Sequence, residues 1–365
     1  MKRIIKIIGK ITLILLATLL IFTVVTFIVH NVKTNEELDV LQQNGLYNPV
    51  PVGEYSLNVA KFGKEDGKHT IVAMAGLGMG DCSVSMRQMT ACLEEDNLVV
   101  FVDRAGYGLS DDTDNEMTIE YIVDDYRKAL KNAGINEPYI LMPHSIGGIY
   151  ATYWVSNYPE EIEAVVFLDG TQLSENAYVG AEDEYASTFV DYAMAHLMKL
   201  GFSRFVLRND FYLYPDNYSK NEQYLGDALS IRTMSSIATL SECTNTPSNG
   251  QKVFDEVVAN DVPKLYICSS WGFKTRKDFV EHIKWINRQR EINNLGDQNN
   301  ENPSDEMVDK LLKQSENNRQ NILMPYLEKM GNCELICLGG DHMIYEQKPK
   351  ECGIIIKNFI DRLNN

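Results

Sequence analysis

The chain is short of positive charge. Its 365 residues carry 34 Lys and Arg against 51 Asp and Glu, a net of −17. Nucleic-acid binders need surplus cations to displace counterions from phosphate, so that class is excluded as a partner. Cysteine is sparse, at seven residues. This is not a disulfide-dense scaffold, and an odd count leaves at least one thiol unpaired within the chain. There is no H-E-x-x-H, no C-x-x-C and no P-loop lysine motif. The glycines at 76, 78 and 80 lack G-x-G-x-x-G spacing. Neither a metal nor a nucleotide cofactor is expected. Cys333 and Cys337 read as strand packing rather than ligands.

The missing charge is unevenly placed. Residues 1–30 hold Lys2, Arg3, Lys6 and Lys10 and no acid. The remainder holds 30 basic and 51 acidic residues, a net of −21. Ile11 to Val29 is 19 residues without a charge. As a helix it is about 28 Å long, close to the hydrocarbon thickness of a bilayer. All four cations precede it, which predicts a cytoplasmic amino terminus and an extracytoplasmic body. A cleaved signal peptide usually has a shorter apolar region and a small-x-small site, and none follows here. The expected layout is an anchor over 1–30, a tether over 31–50 and a folded domain over 51–365.

Within the body, short apolar runs alternate with helical patterns. Thr70–Met74, Leu98–Val102, Tyr139–Met142, Ala164–Leu168, Lys264–Cys268 and Glu334–Leu338 read as buried strands. Thr118–Gly134, Ile146–Asn157 and Glu351–Leu363 read as helices. Such alternation predicts an α/β domain with a parallel sheet and no internal repeat. Two stretches interrupt it. Residues 170–262 read as a helical, aromatic-rich insertion, a lid over the carboxyl ends of the strands. Residues 269–332 form a second insertion, with a polar loop from Asn293 to Glu306. Tyr185, Phe189, Tyr192, Met194, Leu197, Met198, Leu200, Phe202, Phe205 and Phe211 suit either an acyl pocket or a contact between lid and sheet.

The chemistry concentrates at strand ends. In Leu141-Met-Pro-His-Ser-Ile-Gly-Gly148 a serine ends a strand, and Gly147 follows just before a helix. A tight strand-to-helix turn needs small neighbours, and the helix amino terminus favours developing negative charge. Asp103-Arg-Ala-Gly-Tyr-Gly-Leu-Ser110 follows the preceding strand, and Ala75-Gly76-Leu77-Gly78 the one before. Gly339-Gly-Asp-His342 follows the last strand. Of six histidines, only His342 sits in a Gly-rich loop at a strand's carboxyl end. His144, beside Ser145, is expected to point away from the nucleophile.

These motifs resemble the α/β-hydrolase superfamily of serine hydrolases over essentially all of residues 50–365. The resemblance implies a mostly parallel, eight-stranded sheet flanked by helices. It implies Ser145 as nucleophile, His342 as general base, and the backbone N–H groups of Leu77, just after Gly76, and of Ile146 as oxyanion donors. Asp103 and Arg104 would hold the loop that shapes the pocket. The triad acid stays open. Asp169 follows the strand after the serine, whereas Asp278 lies beyond the strand ending at Cys268, with no nearer acid after it. Asp169 is preferred, although a turn cap would also suit it. Pro143 and Ala75 depart from the family pattern, which more often has a small residue and a histidine there. The implied activity is hydrolysis of an acyl bond in a small molecule, an ester before an amide or peptide, with no cofactor. A catalytically inactive binding ectodomain is the alternative. Epoxide and haloalkane hydrolysis are disfavoured because they use an Asp nucleophile, and position 145 is Ser.

Overall fold

A computed structural model describes residues 2–206, 214–293 and 304–363. Its frame is an eight-stranded sheet in the order β1-β2-β4-β3-β5-β6-β7-β8. The strands are β1 (Pro49–Pro51), β2 (Ser56–Gly63), β3 (Thr70–Met74), β4 (Leu98–Val102), β5 (Tyr139–Pro143), β6 (Ile162–Leu168), β7 (Lys264–Cys268) and β8 (Cys333–Cys337). From β4 to β8 every pairing is parallel, and β1 and β2 add an antiparallel edge. The six strands expected from the sequence are present, and the antiparallel pair completes the eight.

Strands β4, β5 and β7 are buried along their whole length, because helices cover both faces. Period-two alternation divides the core. Val72, Val100, Leu141, Phe167 and Tyr266 meet Ile122, Tyr126 and Trp154 on one face. Ile71, Val99, Ile140, Val166 and Ile267 meet Ile356, Phe359 and Ile360 on the other. Helix Ile119–Asn132 begins where Thr118 Oγ1 accepts the Tyr121 N–H, an N-cap that fixes its start.

The amino-terminal helix, α1, runs from Lys2 to Gln43 without a break. Its most apolar 18-residue window has a mean hydropathy of 2.8, so it is long and apolar enough to cross a membrane. Residues 31–43, expected as part of a tether, are helical. They continue the helix because its last turns pack on the body. Leu41 is fully buried in a cluster with Val84, Leu225 and Leu229, and Glu37 pairs with Arg204 at 2.7 Å.

The first insertion holds helices Phe189–Leu197, Lys220–Thr233 and Ile237–Glu256, and the second holds Arg276–Ile292, Asp305–Asn318 and Met324–Met330. Phe211 and most of the polar patch expected at 293–306 lie outside the described residues. All seven cysteines are free.

Candidate active site

The carboxyl ends of β3, β5, β6 and β7 and the loop after β8 converge on one place. Ser145 follows β5 with φ of 52°, a left-handed conformation that costs about 1–2 kcal/mol for a non-glycine residue. Surrounding contacts hold it there. Its carbonyl accepts from the N–H groups of Gly148 at 2.9 Å and Thr171 at 2.8 Å. A Cβ at Gly147 would lie 2.9 Å from the Met74 carbonyl oxygen, and one at Gly148 would lie 3.1 Å from the Gly170 Cα. Gly147 therefore has no room for a side chain against the β3 main chain, and Gly148 sits tightly against Gly170. Pro143 does not break the strand end. The His144 N–H donates to Met74 at 2.9 Å and the Ser145 N–H to Leu168 at 3.4 Å.

Asp169 follows β6 with φ of 43° and is 2% exposed. Its Oδ2 lies 2.8 Å from His342 Nδ1 and also accepts the Ser270 hydroxyl. Its Oδ1 accepts the N–H groups of Ser269 at 2.8 Å and Ser270 at 3.2 Å. Burial alone would raise the carboxyl pKa, but His342 and the serine donors hold it below the ordinary value. The loop after β7, which offers no nearby acid, thus supplies donors to the acid of the neighbouring strand.

Asp278 has a different place. Its carboxylate accepts the Thr275 N–H at 2.9 Å, and its own N–H donates to Thr275 Oγ1 at 3.2 Å. This is a capping box at the start of helix Arg276–Ile292.

The side chain of His342 is half-exposed. Burial lowers its pKa, but the Asp169 hydrogen bond and charge, with Asp341 behind them, leave it above 6.5. His144, expected to point away from Ser145, lies against His342. Its ring centroid is 4.6 Å from that of His342, and its Nε2 lies 3.1 Å from the His342 carbonyl oxygen. A carbonyl only accepts, so His144 carries its proton on Nε2. Burial pushes its pKa down to about 3 and keeps it neutral. It thus braces the main chain of His342.

Gly76 places the β3 loop beside Ser145. A Cβ there would lie 3.2 Å from the Ser145 Cβ and 2.8 Å from His144 Nδ1. Leu77 follows it, and Ile146 is the N-cap of helix Gly147–Asn157. Arg104, almost fully buried, donates to the carbonyls of Ala75 at 2.7 Å and Gly76 at 3.0 Å. In a trans peptide the N–H opposes the C=O, so holding the Gly76 carbonyl also aims the Leu77 N–H. Asp103 fixes the rest of the loop. Its Oδ2 accepts from Asn58 and from the Leu109 N–H, each at 3.0 Å.

The sequence reading did not single out Glu242. It comes from helix Ile237–Glu256 in the first insertion, is fully buried, and pairs with Arg104 at 3.0 Å. It also accepts the Tyr150 hydroxyl. The available signal was the buried arginine itself, which needs a counter-charge. The apolar side chains that suited either a pocket or a contact between lid and sheet divide. Met198 is buried, whereas Phe189, Met194, Leu197 and Phe205 are exposed.

The chain has the α/β-hydrolase fold. A family model described as alpha/beta hydrolase fold matches residues 75–229. An uncharacterised Bacillus subtilis protein, YbdG, is 29% identical over 297 residues, covering 76% of this chain and 87% of the relative. Three solved structures show the fold at low identity. The haloalkane dehalogenase DatA from Agrobacterium tumefaciens is 17% identical, with a TM-score of 0.57, covering 87% of this chain and 96% of that one. The epoxide hydrolase CorEH is 15% identical, with a TM-score of 0.57 and coverage of 87% and 99%. A putative lipase from Acinetobacter baumannii is 15% identical, with a TM-score of 0.54 and coverage of 90% and 96%.

Proposed function

We propose that the protein is a serine hydrolase that cleaves a carboxylic ester, held to a membrane by α1 with its body outside the cytoplasm. The observation that carries this reading is the 2.8 Å contact between His342 Nδ1 and Asp169, on loops that meet at the strained Ser145 turn. Asp169 accepts from Nδ1–H and so keeps the Nε2 lone pair of His342 free. Nε2 takes the Ser145 hydroxyl proton as Oγ attacks the carbonyl carbon. The N–H groups of Leu77 and Ile146 stabilise the oxyanion, each contributing about 2.7–4 kcal/mol. His342 then returns the proton to the leaving alkoxide, and water, activated by the same imidazole, releases the acyl group. A serine at position 145 separates this chemistry from that of enzymes that attack with a carboxylate.

A fluorophosphonate probe tests the reading. Covalent labelling of the folded protein is expected, absent in Ser145→Ala and sharply reduced in His342→Ala. A folded wild-type protein that takes no label, in a site whose base is half-exposed and accessible, overturns it. For topology, protease added to intact cells is expected to digest the body and spare the anchor.

A further inference from the structure

The apolar helix is in contact with the first insertion. The Phe22 ring lies 6.0 Å from that of Phe202 and 5.9 Å from that of Phe205. Thr26 Oγ1 donates to the Leu200 carbonyl at 3.1 Å. Gly201 has φ of +94°, and a Cβ there would come within 2.6 Å of the Thr26 carbonyl oxygen. About two to three helical turns further along α1, Arg204 pairs with Glu37 and donates to Thr34 Oγ1 at 2.9 Å. Segment 198–206 is thus seated on α1 by packing, a glycine and a charge cluster together.

The depth of this contact matters. Phe22 is seven residues inside the outer end of the uncharged run at Val29. At helical rise that is about 10 Å. A bilayer that accepts the run through Val29 must therefore also reach Phe202 and Phe205. The surface leading there suits lipid. Val190, Met194 and Leu197 form one stripe of helix Phe189–Leu197, and all are exposed. Phe189 is 86% exposed and Phe205 59%. Among the described residues, Lys199 pairs with Asp112 and Arg204 with Glu37.

We infer that the exposed apolar face of residues 189–205 is immersed in the outer leaflet beside α1, with phospholipid acyl chains as its occupant. The inference rests on the proposed reading that α1 spans the membrane. The patch is continuous with the helix through the Phe22 contacts, and large contiguous apolar patches of this kind mark interaction surfaces. The body is then held at two points, so its orientation over the bilayer is fixed rather than free about a tether.

The test uses the full-length chain in phosphatidylcholine vesicles containing brominated lipids, which quench tryptophan on contact. Leu16→Trp reports on the anchor, and Phe189→Trp and Phe205→Trp report on the insertion, each read above the three native tryptophans. The two insertion variants are expected to lose roughly half of their added emission with bromines in the upper acyl chain, where an interfacial apolar face lies. Leu16→Trp is expected to respond most to bromines near the chain middle. Quenching at 16 without quenching at both 189 and 205 overturns the inference and leaves the anchor standing, as a soluble partner or a second copy on that face would produce. No quenching at 16 removes the anchor reading and the inference with it.

Discussion

Asp169→Asn separates the two carboxylates between which the sequence left the triad acid open. The carboxylate oxygens of Asp169 face different donors. Oδ1 accepts two main-chain N–H groups, from Ser269 and Ser270, which cannot turn away. The amide oxygen of asparagine must take that side, because its NH2 would oppose both donors. The NH2 then faces His342 Nδ1, which must become an acceptor. The imidazole proton moves to Nε2, the nitrogen that has to receive the nucleophile's proton. The side chain is nearly the same shape and the base remains in place, but in the wrong tautomer. The expected loss is about 10⁴ in kcat, or about 5 kcal/mol of barrier. The assay is steady-state turnover of a short chromogenic ester, with fluorophosphonate labelling rate as a second readout. Asp278→Asn touches only a helix cap, and turnover is expected to stay within two-fold while stability falls by about 1 kcal/mol or less. An Asp169→Asn enzyme within ten-fold of wild type, or a collapse of turnover in Asp278→Asn, refutes the assignment.

Three further perturbations follow from the geometry. Glu242→Gln leaves the buried Arg104 guanidinium without its counter-charge. It is expected to destabilise the fold by about 3 kcal/mol and, by loosening the Gly76–Leu77 peptide, to lower kcat by about 10–100-fold. Thermal melting and steady-state kinetics check both, and unchanged kinetics in a destabilised protein would restrict Glu242 to a structural role. Ser145→Gly removes the left-handed strain and is expected to gain about 1 kcal/mol in urea unfolding while abolishing labelling; a loss of stability contradicts a strained turn. Burial raises the carboxyl pKa of Asp81 to about 7 and that of Glu346 to about 8. At these two groups the folded state binds more protons than the unfolded one between about pH 4 and 8, so their contribution to stability falls as pH rises through that window. His144, held neutral by burial, acts in the opposite direction below pH 6.5. His342, whose folded pKa is also raised, adds to the fall above pH 6.5. Glu346→Gln is expected to flatten the profile by on the order of 1 kcal/mol or more at pH 8, and a variant whose stability falls between pH 5 and pH 8 as steeply as the wild type's refutes the sign.

The sequence carried the parallel core clearly, because strands covered on both faces must be continuous apolar runs, as Leu98–Val102 is. The antiparallel edge was not legible. β2 mixes Asn58, Lys61 and Gly63 with its apolar residues, and β1 is three residues with two prolines. The continuation of α1 beyond Val29 was not legible for a related reason. The charged residues after Val29 look like a solvated linker, but Glu37 and Leu41 face partners more than 150 and about 40 residues away in the chain, Arg204 and Val84. At the site, Ser145 and His342 stood out because strand-end serine and histidine with adjacent glycines are locally encoded. The contact of His144 with His342 was not legible because it depends on a loop almost 200 residues later.

The acid shows why such a site is only partly local. A carboxylate that orients a histidine needs donors of its own, and these come from whichever strand ends lie beside it. Here β6 supplies the carboxylate and β7 supplies Ser269 and Ser270 to hold it. Moving the acid from one strand end to its neighbour keeps the same set of atoms around the imidazole, provided the vacated loop offers N–H groups and a hydroxyl in its place. In the proposed triad, the absence of an acid after Cys268 is therefore the complement of Asp169. The same logic applies to Arg104. Its motif is local to the loop after β4, but the charge that keeps it buried comes from the first insertion, so changes in that insertion reach the Leu77 N–H through Glu242 without touching substrate.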